Sequence, residues 1–231
     1  VPCYTPLKAY YAKDRNASGK HSLTFSLRHA LDDKVVTIAC GQCIGCRLER
    51  SRQWAIRCMH ESTMHENNCF ITLTYSPENL PKDNSLNLHH FQTFIKRLRK
   101  KTKIKNLRYF HCGEYGENLG RPHYHACIFG YDFPDKQLHK ITKQDNRLYT
   151  SAILNSLWSL GYALIGDVTF ESAAYVARYI TKKINGQMAD SHYLTTEGPY
   201  IGLLKTPEYT TMSRRPGIGK SWLDKYNTDV F

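Results

Sequence analysis

The sequence predicts an α+β fold: a central antiparallel β-sheet with helices packed on one face, in a ferredoxin/RRM-like arrangement. Three observations lead there. Short β-branched and aromatic runs alternate with stretches of helical apolar spacing, in the order β-α-β-β-α-β-α. Two strand-like runs, Leu107–Glu114 and His123–Phe129, flank a Gly116–Gly120 loop and so read as an antiparallel hairpin. The 231 residues, 41% hydrophobic and 23% charged, suffice to bury one large core.

We read residues 1–231 as one domain, in which 1–66 form an N-terminal extension, 67–185 the core and 186–231 a loop-rich C-terminal segment. In the extension, Leu23–Leu27 and Lys34–Ile38 are strand-like, and a helix is expected from about Arg47 to His65, where Leu48, Trp54, Cys58 and Met59 follow helical spacing. The core opens with the strand Phe70–Tyr75, ended by the turn residues Ser76-Pro77-Glu78-Asn79. His89–Lys101 is an amphipathic helix with Phe91, Phe94, Ile95 and Leu98 on one face. After the hairpin come a helix over Leu148–Leu160 capped by Gly161, a strand over Tyr162–Phe170 and a helix over about Ser172–Lys183.

Composition narrows the function. Lys and Arg number 32 against 20 acids, a net charge of +12, with a pI near 9.3. Such a balance favours a polyanionic partner, and 16 tyrosines in a chain that is 12% aromatic add rings that can stack on bases. The chain is too apolar for disorder, and no run of about 18 apolar residues predicts a membrane helix. Its start, Val1-Pro2-Cys3-Tyr4, lacks the pattern of a secretory signal and also lacks Met, which we read as processing or trimming. The lone cysteines Cys69, Cys112 and Cys127 lie inside apolar runs, which suits buried thiols in a reducing compartment.

His123-Tyr124-His125 is the sharpest local feature. Residues i and i+2 of a strand share a face, so both imidazoles converge with Cβ atoms roughly 6–7 Å apart, near enough to hold one divalent ion. The alternative is a polar stripe at a sheet edge. Glu114 ends the preceding strand and lands opposite the two histidines if the hairpin pairs; Glu117, in the loop, is the competing carboxylate. Tyr175 and Tyr179, four apart, share one helical face, with Lys182 and Lys183 following. A tyrosine nucleophile needs a nearby cation, metal or base to favour its phenolate. The alternative is a pair of ordinary tyrosines before a basic last turn that complements the helix dipole.

Lys96, Arg97, Arg99, Lys100 and Lys101 belong to a run, extending to Lys105, that contains no acid and suits contact with a phosphate backbone, although such runs are often merely solvated. Arg214 and Arg215 lie in a Gly- and Pro-containing loop that could approach phosphates closely. Each phosphate contact on a single strand steepens the salt dependence by about 0.7 log units per log unit of salt. Cys40, Cys43 and Cys46, spaced by three, could join Cys3 as four thiolates for a structural Zn²⁺; the spacing also occurs at iron–sulfur sites, and the bland alternative is a glycine-rich turn with incidental thiols or a disulfide.

Taken in order, Phe70-Ile-Thr-Leu-Thr-Tyr75, Gly113-Glu114-Tyr-Gly116 with Arg121-Pro-His-Tyr-His125, and Tyr175-Val-Ala-Arg-Tyr179-Ile-Thr-Lys182-Lys183 resemble the three motifs of HUH endonucleases. The resemblance is nearest to the replication initiator proteins of microviruses, the small icosahedral single-stranded DNA phages. The Cys40–Cys46 segment and Met212-Ser-Arg-Arg-Pro-Gly-Ile-Gly219 are similar to that group too. The resemblance implies the HUH endonuclease fold and a Mn²⁺ or Mg²⁺ ion held by His123, His125 and Glu114. It implies attack by Tyr175 or Tyr179 on single-stranded origin DNA, leaving a 5′-phosphotyrosine and a free 3′-OH that can later be rejoined. Lys182 fits the family spacing as the stabilising cation, with Lys183 as alternate; Arg121 and Arg178, inside the motifs, join the DNA-contact candidates. A monomer in the cytoplasm of a bacterial host follows, working with host replication proteins that include a helicase, because no Walker-type phosphate loop occurs in the chain. Three other readings compete: a relaxase or transposase of the HUH type, a hydrolytic metal-dependent nuclease, and a non-catalytic single-stranded DNA-binding module.

Overall fold

A computed structural model describes residues 3–116, 119–182, 187–195 and 200–230, with the side chains of 179–182, 187–188 and 190 outside that description. The chain divides into two compact units, Val1–Arg50 and Ser51–Phe231.

The first unit holds β1 (Leu7–Arg15), β2 (His21–Thr24) and β3 (Val36–Ile38) in an antiparallel sheet of order β2-β1-β3. β1 is missing from the expected elements: Pro6 and the Asn16–Gly19 turn bound it, but of its nine residues only Ala9 is buried, so no apolar face marks it. Among the described residues of this unit only Ala9 and Ala30 are buried hydrophobics, whereas Leu7, Tyr11, Leu23 and Phe25 stay exposed. The helix α1 (Ile44–Ser62) begins in this unit, three residues before the predicted start.

The second unit is built on β4 (Asn68–Tyr75), α2 (Leu88–Thr102), β5 (Arg108–Tyr115), β6 (Pro122–Phe129), β7 (Gln137–Ile141), β8 (Arg147–Thr150), α3 (Ala152–Trp158), β9 (Gly161–Gly166), α4 (Phe170–Lys182), α5 (Gln187–Tyr193), β10 (Tyr209–Met212) and α6 (Lys220–Val230). The strands form a seven-stranded sheet of order β10-β5-β6-β4-β9-β8-β7, with every neighbouring pair antiparallel. The α+β expectation therefore holds, and β5 and β6 form the hairpin predicted from Leu107–Glu114 and His123–Phe129.

Helices cover both faces of this sheet rather than one. On the first face, Ile71 and Leu73 of β4 and Tyr124, Ala126 and Ile128 of β6 meet Phe91, Phe94, Ile95 and Leu98 of α2 and Trp158 of α3. Fully burying each such large apolar side chain contributes about 1.5–3 kcal/mol. On the second face, Phe110 and Cys112 of β5 and Cys127 and Phe129 of β6 meet Ala55 and Cys58 of α1 and Ala173, Val176 and Ala177 of α4. The small residues of α1 and α4 let those helices come close to the strands.

Local signals explain the ends of several elements. The Asn87 side chain caps α2 by accepting from the His89 N–H, and Ser151 caps α3 by accepting from the Leu154 N–H. Residues 148–150, expected in that helix, belong to β8 instead, and the helix ends at Trp158 with Ser159 as its cap. Gly161 is not its cap. It starts β9 with φ 155°, where a Cβ would meet the Ser76 nitrogen at 2.2 Å and the Thr74 oxygen at 2.3 Å, so only glycine permits this approach to β4. The C-terminal segment is less loop-rich than expected: β10 extends the sheet beside β5 and α6 follows.

Candidate functional site

Strand register brings the predicted groups to one face of the sheet. Glu114 pairs with His123 and Cys112 with His125 across β5 and β6, while Thr72 of β4 pairs with His125 from the other side. Alternation then points Thr72, Glu114, His123 and His125 away from α2 and towards α4.

There a hydrogen-bonded unit forms. Glu114 is 3% exposed, and its Oε1 lies 2.7 Å from His125 Nε2 and accepts from the Tyr175 hydroxyl at 2.8 Å. His125 Nδ1 is 3.0 Å from the Thr72 hydroxyl, which fixes the ring from behind. Phe70 stacks on His125 at 5.8 Å between centroids with 12° between planes, and Tyr175 meets the same ring edge-on at 5.0 Å. Burial, reinforced by the Glu114 charge, pushes the Tyr175 hydroxyl pKa up, against a smaller opposing pull from Arg178. The Arg178 guanidinium lies 5.8 Å from the Tyr175 ring centre.

His123 stands apart. Its Nδ1 is buried without a hydrogen-bond partner, and burial, then the neighbouring His125, lowers its pKa. Among the described residues, only Cys3, Cys40, Cys43 and Cys46 bring three or more metal-ligating atoms within 4.8 Å of one another, so the His123, His125 and Glu114 donors do not close to that spacing. Their chemistry nevertheless fits a divalent cation: two imidazoles, a buried carboxylate paired across the strands with His123, and a His123 ring nitrogen without a hydrogen-bond partner.

A cavity of about 530 Å³ opens beside the unit, walled by Phe70, His125, Leu148, Tyr149 and Tyr175. Arg147 is its basic residue, against Asp145, Asp167 and Glu171. An apolar, aromatic wall with mixed charge suits a nucleobase better than a run of phosphates. The sequence alone does not single out Thr72, Phe70 or Tyr149 as site residues. Alternation along Phe70-Ile-Thr-Leu-Thr-Tyr75 carried the signal for the first two once the β4–β6 register was known.

The basic candidates separate. Lys96, Arg97, Arg99, Lys100 and Lys101 are exposed on α2, the helix that packs on the opposite face of the sheet from Tyr175. Arg97 is engaged structurally, donating to the Leu157 carbonyl and, at 2.8 Å, to the Ser159 hydroxyl. Arg121 donates to the Tyr75 carbonyl at 2.9 Å. Arg99 reaches a second cavity, of about 490 Å³, where it joins Lys105, Arg108, Arg214, Arg215 and His65. Glu61 at its base is 1% exposed and binds Arg108, His65 and the Gly219 N–H. Burial opposes ionisation of Glu61, yet these partners hold its pKa below the usual carboxylate value. Arg108 opens β5 and Glu114 lies near its end, about 20 Å along the strand.

Tyr179 and Lys182 belong to α4 by backbone, but their side chains lie outside the described residues, as do Lys183 and Glu117 entirely. No described helix is long and apolar enough to cross a membrane.

Comparison with known proteins places the chain. Residues 68–184, which contain β4, the histidine pair and Tyr175, match the model of the replication-associated protein ORF2/G2P family. The replication-associated protein VP4 of Bdellovibrio phage phiMH2K is 36% identical over 99% of this chain and 69% of its own length. The replication-associated protein ORF2 of Spiroplasma virus 4 is 34% identical over 79% of this chain and 56% of its own length. The replication-associated protein ORF4 of Chlamydia phage 1 is 34% identical over 63% of this chain, which spans 38% of that protein. No solved structure matches. By the extent of the family match and the near full-length likeness to a phage relative, this chain belongs to the replication-associated protein ORF2/G2P family.

Proposed function

We propose that the chain is a phage replication initiator that nicks and rejoins single-stranded origin DNA through a tyrosine. One observation carries the reading: Tyr175, Glu114 and His125 form a single hydrogen-bonded unit at the wall of a cavity sized for a nucleotide. The family and the names of its phage relatives support the replication role.

In the reaction, the tyrosine oxygen bonds to the scissile phosphorus as the bond from phosphorus to the 3′-oxygen breaks. The leaving 3′-oxygen takes a proton from solvent to become a 3′-OH and the 5′-phosphate stays on the enzyme, so rejoining reverses the step without ATP. The Tyr175 proton leaves towards Glu114 Oε1, the atom its hydroxyl already meets. Thr72 holds the His125 ring in place, and Arg178 sets a cation beside the phenol whose charge develops. His123, His125 and Glu114 would hold Mg²⁺ or Mn²⁺, which supplies Lewis-acid polarisation of a phosphate oxygen. A second tyrosine on α4, Tyr179, gives an alternate nucleophile for repeated cleavage and joining. The cavity beside Phe70 and Tyr149 takes a flanking base, and the basic cleft of Arg99, Lys105, Arg214 and Arg215 takes backbone phosphates further along the strand.

A denaturing gel tests this. The protein is mixed with end-labelled single-stranded origin DNA of its phage and with Mn²⁺, Mg²⁺ or EDTA. A metal-dependent protein band carrying label is expected. Cleavage without a covalent band points to a hydrolytic nuclease, and binding without cleavage points to a DNA-binding module; either defeats the proposal.

A further inference from the structure

We propose that Cys3, Cys40, Cys43 and Cys46 bind one structural zinc ion as four thiolates, tying the start of the chain to the first turn of α1. This site is chemically separate from the tyrosine site and does not depend on the nicking reaction.

The topology delivers the four sulfurs. β1 and β3 pair with Leu7 opposite Ile38. Cys3 lies just before that ladder on one strand and Cys40 just after it on the other, so the pairing sets them side by side. Gly41, at φ +74° with open space around it, turns the chain immediately after Cys40. Cys43 then accepts the first backbone bond of α1 through its carbonyl, from the Arg47 N–H, and Cys46 follows within the first helical turn.

Distances discriminate between chemistries. All four Sγ atoms lie within 4.8 Å of one another, with Cys40 to Cys46 and Cys3 to Cys43 each 3.9 Å. A tetrahedron of sulfurs about zinc, with Zn–S bonds of about 2.3 Å, has an edge of about 3.8 Å. A disulfide needs sulfurs about 2.05 Å apart, and all four cysteines are free. A multi-iron cluster spreads its thiolates over different irons and so spaces them more widely than a single ion does.

The hydrogen bonds to these sulfurs have the pattern that stabilises thiolate ligands. Backbone N–H groups of Gln42 and Cys43 donate to Cys40 Sγ, those of Tyr4 and Cys46 to Cys43 Sγ, and that of Cys40 to Cys3 Sγ. The Thr5 hydroxyl adds a further donor to Cys40. Amide donors around sulfur orient a metal-bound thiolate and offset its charge.

The first unit also needs a fastening. Among its described residues the buried apolar side chains are those of Ala9 and Ala30 alone, which make no core for a body of this size. Small units with so little apolar burial hold together through disulfides, partners or metals. Four thiolates close the coordination sphere, so the ion is structural, with no position for water or phosphate.

The test uses the 231-residue chain. Elemental analysis of protein purified without chelator is expected to give about one zinc per chain bound by thiolate, released as an organomercurial titrates the four thiols. Exchange with Co²⁺ is expected to give the intense visible bands and thiolate charge transfer of tetrahedral sulfur coordination. Cys3→Ser and Cys40→Ser should lose the ion, whereas Cys69→Ser, at a lone buried thiol, should keep it. If the serine variants do not fold, Cys46→His, which preserves four ligands, should retain zinc with the cobalt bands moved to shorter wavelength. Protein that contains no zinc and shows no cobalt–thiolate spectrum overturns the proposal. So does an iron chromophore at these thiols, or zinc that survives Cys3→Ser and Cys40→Ser and is lost in His125→Ala.

Discussion

Alternate residues of one strand, β6, serve opposite faces of the seven-stranded sheet. Tyr124, Ala126 and Ile128 pack under α2 and α3, while His123, His125 and Cys127 turn to the side of α4. On the α2 side a group of polar side chains closes on itself: the Tyr75 hydroxyl meets Tyr124 at 2.8 Å and His90 at 2.6 Å, and Tyr124 exchanges bonds with the Asn87 backbone. On the α4 side the polar chain of Thr72, His125, Glu114 and Tyr175 ends at a cavity. The same strand thus supports a sealed layer that contributes stability and an open layer that can meet a ligand. Two histidines make the contrast sharper. His111 is fully buried, stacked on Phe91 at 3.4 Å and bonded to the Thr211 hydroxyl, whereas His125 borders the cavity.

Substitutions on each face separate the two roles. His125→Ala removes the ring that joins Thr72 to Glu114, and covalent DNA cleavage should fall by about 10³-fold or more, while DNA affinity drawn from many phosphate contacts stays within about threefold. Cleavage that survives this change would detach the chemistry from the α4 face. Phe91→Ala, on the α2 face, should cost about 3–5 kcal/mol of stability. That lowers the melting temperature by roughly 10 °C, with single-turnover cleavage of the folded fraction unchanged. Thr72→Val deletes only the hydroxyl behind His125. Cleavage should drop about 10–100-fold, with little change in melting temperature; an equal loss of stability and activity would make Thr72 a packing residue.

The smallest expected effect is a pH dependence. Burial, then the charge of nearby His125, lowers the His111 pKa well below its ordinary value. The unfolded state therefore binds a proton that the folded state refuses. The neutral-His111 contribution is fully present above about pH 6.5 and is lost as pH falls towards the depressed folded value. Between pH 7.5 and 5.5 this should remove about 1 kcal/mol of stability. Denaturant titrations at the two pH values measure it, and His111→Phe should flatten the difference if His111 is its source.

What could be read from the sequence divides along similar lines. α2 was legible because Phe91, Phe94, Ile95 and Leu98 mark a single apolar face, and β4 because Phe70–Tyr75 is a β-branched and aromatic run closed by turn residues. The β7–β8 hairpin was not, since every residue of β7 is exposed and no apolar alternation marks it. β10 is a four-residue edge strand whose partner, β5, lies about a hundred residues earlier, so its pairing is a tertiary fact. The convergence of Glu114 and His125 followed from strand spacing and the hairpin. The Tyr175–Glu114 bond required the packing of α4 on β5, which no local pattern encodes. The run from Lys96 to Lys101 shows the reverse case: its charge was plain, yet helix geometry sets it on the face away from Tyr175.

In the proposed reaction the reactive tyrosine belongs to α4, whose Tyr175 faces the His125 side of the sheet. The most direct test is to digest the covalent protein–DNA adduct and locate the nucleotide by mass spectrometry. The account predicts a modified peptide containing Tyr175 or Tyr179. A nucleotide on Tyr75 or Tyr124, or cleaved DNA with no modified tyrosine, would contradict it.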